Sequence, residues 1–386
     1  MMNDFSFGLA TDIRFGRDAV ASIGKMALEY GAEKVLLVAD KGIRETGLPT
    51  RIRGYLEETG ISCVDFDKIV PNPRISDCEE GARLGLEEQV NLVIAVGGGS
   101  SIDTSKAIAG MIGHKTDDFG TIQFPNAYTC DPCPLIAVPT TAGTGSEVTT
   151  CGVITNAQTH EKVYCYDIKC APTVALCDPA VLMGLPSAIA AATGIDALTH
   201  AIEGYVCTCT NPVTEAFGLY AVQKISRHFR KYIYDRDIES CSEIMAGSML
   251  AGLSFGYSDT AAVHSLAETL GGRYDTPHGV ANAIFLADVC EYNIPANLQK
   301  YADIARAMGV SGQGLTDRAL AQAGVEEIRR LVADVRIPKL SALPGINPED
   351  FEGLAEKCVT HVSNADNPII LTKEAFLYFL NKAYNA

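Results

Sequence analysis

The sequence predicts an α/β N-terminal region built on a parallel sheet, followed by an all-helical C-terminal region. Three observations predict this. Short, continuously apolar runs alternate with helical patterns through the first half. Two of those runs end in glycine-rich turns, and strand signals vanish after Pro186, where alanine- and leucine-rich helical periodicity takes over. A chain of 386 residues exceeds one ordinary core, so the natural division is into residues 1–185 and 186–386.

Each element has its own signature. Lys34 to Asp40 is an apolar run of the kind buried on both faces of a parallel sheet. A helical stretch follows over 49–59, Ser62 to Phe66 reads as a second strand, and Cys78 to Glu88 as a helix with an acidic face. Asn91 to Val96 is the clearest strand; it runs into Gly97-Gly-Gly-Ser-Ser101, with a helix expected from about Asp103. Leu135 to Val138 is the next strand and ends in the loop 139–147. Residues 152–167 read as a hairpin with a polar turn from Asn156 to His160, and Thr173 to Cys177 as the last strand. Helices are then expected over 188–206, 214–229, 241–253, 261–271, 298–308, 317–335 and 373–384.

Composition narrows the function classes. The chain is 47% apolar and 20% charged, as a globular protein is. Its formal charge of -16 argues against nucleic acid, whose phosphates reward Lys and Arg. No apolar run is long enough for a membrane span, and Met1 to Phe15 lacks the basic-then-apolar pattern of a signal peptide, so a cytoplasmic location is expected. Thirteen cysteines, an odd number scattered along the chain, read as reduced thiols rather than a disulfide framework. Cys130 and Cys133 form a C-x-x-C with no second pair at zinc-site spacing.

The glycine-rich turns carry the first chemical signal. Gly97 to Ser100 lies between a buried strand and a helix, where bare backbone and free N–H groups can approach a phosphate. The loop from Thr140 to Ser146 also follows a strand and is rich in hydroxyls and glycine. Two such loops at the carboxyl ends of strands in one sheet point to a crevice for a dinucleotide. Asp40, ending an earlier strand, can accept hydrogen bonds from a ribose 2′-hydroxyl and would repel a 2′-phosphate, which favours NAD over NADP.

The second signal is a set of metal-ligand types. Asp196 and His200 are spaced i, i+4, so on a helix they share one face and can bind one ion. His264 and His278 follow later, and one carboxylate with three imidazoles suits Fe(II) or Zn(II). A hydrogen-bonded core or surface histidine is the alternative for each, and is the reading adopted for His114, His160, His228 and His361.

Several long motifs occur in one order: Pro71-Asn-Pro73, Gly97 to Ser100 with Asp103, Pro139 to Glu147, Gly194 to Gly204, and Tyr274 to Ala281. On these the sequence resembles the iron-containing (group III) alcohol dehydrogenases, nearly end to end. The resemblance implies a dinucleotide-binding domain over 1–185 and an all-helical metal-binding and substrate domain over 186–386. By matched position it implies Asp196, His200, His264 and His278 as metal ligands. It implies Asp40, Asn72, Gly98, Gly99, Ser100, Asp103, Thr140, Thr141, Thr144, Thr149 and Lys162 around NAD. The implied reaction is hydride transfer between NAD(P) and a small primary alcohol or diol and its aldehyde, with the metal as Lewis acid on the substrate oxygen. Homo-oligomers, dimers or larger, are common in the family.

Two positions depart from its pattern. Many members carry a second histidine four residues after the third ligand, whereas this chain has Glu268 there. Glu268 and His278 are the catalytic candidates. Glu268 facing the pocket could relay a proton, bind a substrate hydroxyl or ammonium group, or approach the metal, with Arg273 as a base that could neutralise it. Cys151 stands where several relatives have Asn. The competing readings are a zinc-dependent glycerol dehydrogenase-like or dehydroquinate synthase-like enzyme, and a non-catalytic NAD-binding scaffold.

Overall fold

The structure, a computed structural model, describes residues 4–159 and 161–386, so the expected turn residue His160 lies outside the described residues. The chain forms two compact units: Gly8–Thr141 with Ser146–Gly184, and Leu185–Ala386 with Ala142–Gly145 and the segment ending at Phe7.

The first unit holds β1 (Asp12–Phe15), α1 (Ile23–Glu29), β2 (Lys34–Val38), α2 (Lys41–Glu45), α3 (Leu48–Glu57), β3 (Ser62–Phe66), α4 (Ile75–Glu87), β4 (Leu92–Gly97), α5 (Gly99–Gly113), β5 (Leu135–Pro139), the hairpin β6 (Cys151–Thr155) and β7 (Lys162–Tyr166), and β8 (Val174–Cys177). Six strands form one parallel sheet in the order β1-β8-β5-β4-β2-β3, and β6 pairs antiparallel with β7. Side chains alternate between its faces. Val35, Leu37, Ile94, Val96, Ile136 and Val138 pack with Ile23, Met26, Ile52 and Leu56. Leu36, Val38, Val93, Ala95 and Ala137 pack with Ile102, Ile108 and Ile112. Burial on both faces explains why β2, β4, β5 and β8 read as unbroken apolar runs.

The second unit holds α6 (Ser187–Val206), α7 (Pro212–Tyr234), α8 (Ile238–Phe255), α9 (Ala262–Tyr274), α10 (His278–Asn293), α11 (Leu298–Ala307), α12 (Asp317–Asp334), α13 (Phe351–Thr360), α14 (Val362–Ala365) and α15 (Lys373–Asn385). α6 is its central element, buried continuously from Gly194 to Val206. Side-chain capping boxes on Asn211 and Asp237 start α7 and α8.

The fold class agrees with the sequence expectation, and most elements lie within a few residues of it. Three differences have physical reasons. α5 starts at Gly99, four residues before the expected Asp103, because the glycines belong to its first turn. The four-residue edge strand β1 and the five-residue α2 are too short to show a period. α10 was not anticipated: its first turn begins at His278, directly after Pro277, and its apolar residues are spread around the helix rather than along one stripe.

Candidate metal centre and nucleotide loops

Three helices of the second unit bring Asp196, His200, His264 and His278 together, with one ligand atom from each within 4.8 Å of the others. α6 carries Asp196 and His200 on one face, one turn apart. His264 lies in the first turn of α9, and His278 opens α10. Gly279 allows this: a Cβ there would collide with the Ala192 carbonyl oxygen and lie 3.2 Å from the Asp196 Cβ, so only glycine lets α10 start so close to α6.

Buried acceptors fix the rings. Glu203, three residues beyond His200 on α6, accepts the Nδ1–H of His264 at 2.5 Å. The Gly143 carbonyl, in the segment Ala142–Gly145, accepts from His200 Nδ1 at 3.3 Å. Phe255 stacks on His200 with ring centroids 4.1 Å apart. With their protons on Nδ1, both rings present an Nε2 lone pair, and those two Nε2 atoms lie 2.9 Å apart. Two lone pairs at that distance repel, so a proton or a cation has to lie between them. Asn282 donates to Asp196 Oδ1 at 2.7 Å, and its Nδ2 lies 3.3 and 3.2 Å from the Nε2 atoms of His264 and His278.

The electrostatics suit a cation. Burial alone would push the Asp196 carboxyl up, but the three imidazoles and Asn282 outweigh it and hold it below its ordinary value. Burial pushes His200 down to about 3, against the pull of Asp196, so its ring is neutral and free to ligate. For His264, burial works downward, but Glu203 overcomes it and raises the imidazole. The His278 side chain is 38% exposed, which leaves one side of the cluster open.

Glu268 is mostly withdrawn from solvent. Its side chain is 20% exposed and its Oε2 lies 3.2 Å from His361 Nε2. Burial would raise its carboxyl, yet His361 first, then His278 and His264, bring it down to about 2. One expectation is corrected here. Arg273 does not neutralise Glu268: it binds Asp350 on the surface, because at i+5 it leaves the helix on another side. The partner of Glu268 is His361, a hydrogen-bonded histidine as the sequence reading had it. His114 is structural: its Nδ1 meets the Gly110 carbonyl and its Nε2 accepts from the Thr129 and Cys130 amides.

In the sheet unit, β3 lies on one side of β2 and β4 on the other, so chain direction switches between β2 and β4. Asp40 and Gly97–Ser101 stand at that switch point, where doubly wound sheets hold ligands. Asp40 caps α2 through Ile43 N at 2.9 Å, and its other oxygen lies 3.5 Å from Ser101 Oγ. Thr140 N donates to the Gly97 carbonyl at 3.0 Å, which draws the second loop against the first. A Cβ on Gly98 would lie 2.9 Å from Thr141 Oγ1. Gly99 and Ser100 begin α5, and the buried Thr140 hydroxyl has no partner among the described residues.

The remaining nucleotide candidates are engaged locally. Asp103 accepts from Val153 N at 3.1 Å, and burial raises its carboxyl against the pull of Lys106. Lys106, fully buried, donates to Thr149 Oγ1 at 2.9 Å and to the Cys151 carbonyl at 2.6 Å. Lys162 donates to Asn72 Oδ1 at 2.9 Å and to Thr155 Oγ1 at 3.0 Å. Thr144 belongs to the helical unit, unlike the other ten. Cys130 is exposed and Cys133 buried, and neither joins a metal-ligating cluster among the described residues.

Glu203, Asn282 and His361 escaped the sequence reading. Glu203 had a signal: 196, 200 and 203 follow the i, i+4, i+7 spacing of one helix face. Asn282, one turn after His278, had one only once α10 was known. His361, 93 residues from Glu268, had none.

Known proteins agree with this geometry. Residues 10–179 match the iron-containing alcohol dehydrogenase family, and residues 190–384 match the C-terminal part of the Fe-containing alcohol dehydrogenase family. The chain is 37% identical over 357 residues to a 1,3-propanediol dehydrogenase of Citrobacter freundii, covering 92% of each chain. It is 36% identical to the lactaldehyde reductase of Escherichia coli (strain K12), covering 96% of this chain and 97% of that one. A crystal structure of a 1,3-propanediol oxidoreductase superimposes with a TM-score of 0.94 at 35% identity, over 99% of this chain and 100% of that one. With its two parts matched in order and its four ligand-type side chains gathered, the chain belongs to the iron-containing alcohol dehydrogenase family, oxidoreductases that interconvert alcohols and aldehydes.

Proposed function

We propose that this chain is an NAD-dependent alcohol dehydrogenase and aldehyde reductase for a small primary alcohol or diol, with Fe(II), or alternatively Zn(II), held by Asp196, His200, His264 and His278. One observation carries the reading: two buried imidazole Nε2 atoms face each other at 2.9 Å beside an Asp196 carboxyl held below its ordinary value, a pair of nitrogens that only a shared proton or a cation can hold together. When bound, the metal supplies Lewis acidity toward the substrate oxygen and NAD accepts or returns the hydride.

The chain's own residues do the positioning. Glu203 keeps the proton of His264 on Nδ1, the Gly143 carbonyl does the same for His200, and Phe255 shields the His200 ring from water. The open side at His278 gives a substrate its approach, and Glu268 stands on the His264 face of α9. These two are the catalytic candidates. For NAD we assign Asp40, Asn72, Gly98, Gly99, Ser100, Asp103, Thr140, Thr141, Thr144, Thr149 and Lys162; the carboxylate of Asp40 at the β2–β4 switch favours NAD over NADP.

Residues 1–185 would then serve as the dinucleotide-binding domain and 186–386 as the metal-binding and substrate domain. We extend the reading to a cytoplasmic homo-oligomer, a dimer or larger. None of the thirteen cysteines is in a disulfide, which suits a reducing compartment. Among the described residues no helix is long and apolar enough to cross a membrane.

The test is anaerobic NADH oxidation with a panel of small aldehydes, on metal-stripped protein with Fe(II) or Zn(II) added back. Metal-dependent turnover is expected. NADH binding without turnover on any aldehyde with either metal would refute the assignment and favour a non-catalytic role.

A further inference from the structure

We propose that Glu268 is an anionic subsite that selects alcohols bearing a cationic group close to the hydroxyl. This rests on the alcohol dehydrogenase reading above and adds a substrate class to it.

Four observations carry it. Glu268 follows His264 by four residues on α9, so the two side chains share a face with Cβ atoms about 5–6 Å apart. His264 and His278, two of the four ligand-type side chains, both draw its carboxyl down, as neighbouring imidazoles do. Its side chain is 20% exposed, neither sealed in the core nor dispersed into solvent. And among the described residues its only ion-pair partner is His361.

That partner leaves the charge in place. Ser363 N donates to His361 Nδ1 at 3.3 Å, so Nδ1 carries a lone pair and the ring proton sits on Nε2. Nε2–H is the group that faces Glu268 Oε2. A neutral imidazole donating to a carboxylate gives a pair with a net charge of minus one. Arg273 is turned to Asp350, and among the described residues no Lys or Arg forms an ion pair with Glu268. The same arrangement makes Glu268 a poor proton relay: with an N–H donor holding its carboxyl below its ordinary value, it is too weak a base to take a proton near neutral pH. What it can do is attract. A substrate whose hydroxyl end lies at the four ligands would bring a nearby ammonium group within reach of Glu268, and would bring an anionic group against it.

The probe set is choline, its neutral isostere 3,3-dimethylbutan-1-ol, and the anion 4-hydroxybutanoate, oxidised by the metal-loaded enzyme with NAD. The expected ranking in kcat/KM is cation over neutral by about tenfold or more, with the anion last. In Glu268→Gln the cation-to-neutral ratio falls toward one, whatever happens to the absolute rates. Calorimetric binding of choline to the metal-free protein, present in the wild type and lost in Glu268→Gln, gives a second readout that needs no turnover. Oxidation of the neutral alcohol with no cation preference, or with a preference unchanged in Glu268→Gln, overturns the proposal while leaving the general function intact. If no alcohol is oxidised, the calorimetric result alone decides this proposal, and the failure belongs to the functional reading. If Glu268→Gln does not fold, the wild-type ranking is measured at rising ionic strength: a preference that fades with salt supports the subsite, and a flat ranking overturns it.

Discussion

Replacing Glu203 by Gln tests whether the metal centre is organised from its buried support. Both carboxylate oxygens are committed: Oε2 accepts from Ala261 N at 2.9 Å and His264 Nδ1 at 2.5 Å, and Oε1 accepts from Val263 N at 2.7 Å. α9 has no side-chain cap of its own, so Glu203 also satisfies the first amides of that helix. A glutamine has one acceptor oxygen, and its NH2 must face an N–H donor. One buried donor is then left unpaired, which costs about 1–3 kcal/mol, and loss of charge assistance on the surviving bonds adds about 1 kcal/mol. The sum is about 2–4 kcal/mol, which lowers the melting temperature by roughly 5–10 °C in a unit of about 200 residues. The freed His264 ring also loses its orientation, so Zn(II) affinity falls about 10–100-fold. Differential scanning of the metal-free variant and isothermal titration with Zn(II) measure the two effects separately. A melting temperature within about 1 °C of wild type and an unchanged affinity would refute the reasoning.

Three further perturbations probe other parts of the chain. Glu147 is 3% exposed, and burial pushes its carboxyl up to about 7, against the attraction of Lys106. The unfolded chain therefore ionises it first, and stability falls as pH rises from about 4.5 to about 7, by about 3 kcal/mol in all. Glu147→Gln removes that loss, so urea unfolding should find the variant gaining on the wild type across that window and holding its lead above it; a pH-independent difference contradicts the assignment. Gly98→Ala puts a methyl 2.9 Å from Thr141 Oγ1 and forces the two loops apart; NADH fluorescence titration should show a Kd weakened by about tenfold or more, while Zn(II) binding is unaffected. Asp40→Asn can keep the cap to Ile43 N but loses the charge; the NAD-to-NADP ratio of kcat/KM should fall by about tenfold, and an unchanged ratio would remove Asp40 from cofactor selection.

The parallel sheet was legible because its central strands are buried on both faces, which leaves a signal as plain as residues 34–38 or 92–97. The helical half was legible because α7 and α12 bury one stripe and leave the other side polar. The Asp196–His200 pair and the glycine loops were legible because their chemistry is local, within one turn or one bend. α10 was hidden for the opposite reason: with apolar residues all around it, it has no periodic stripe to read.

By itself, then, the sequence determined the α/β and helical halves, the family, and the residue types that could hold a metal and a dinucleotide. The tertiary structure alone decided how those residues are used. Glu203 reaches His264 across 61 positions, the Gly143 carbonyl reaches His200 across 57, and His361 reaches Glu268 across 93. Such contacts fix tautomers and net charge, and they depend on which helix faces pack together. Periodicity reports which face of a helix is buried; it carries no record of what that face is buried against.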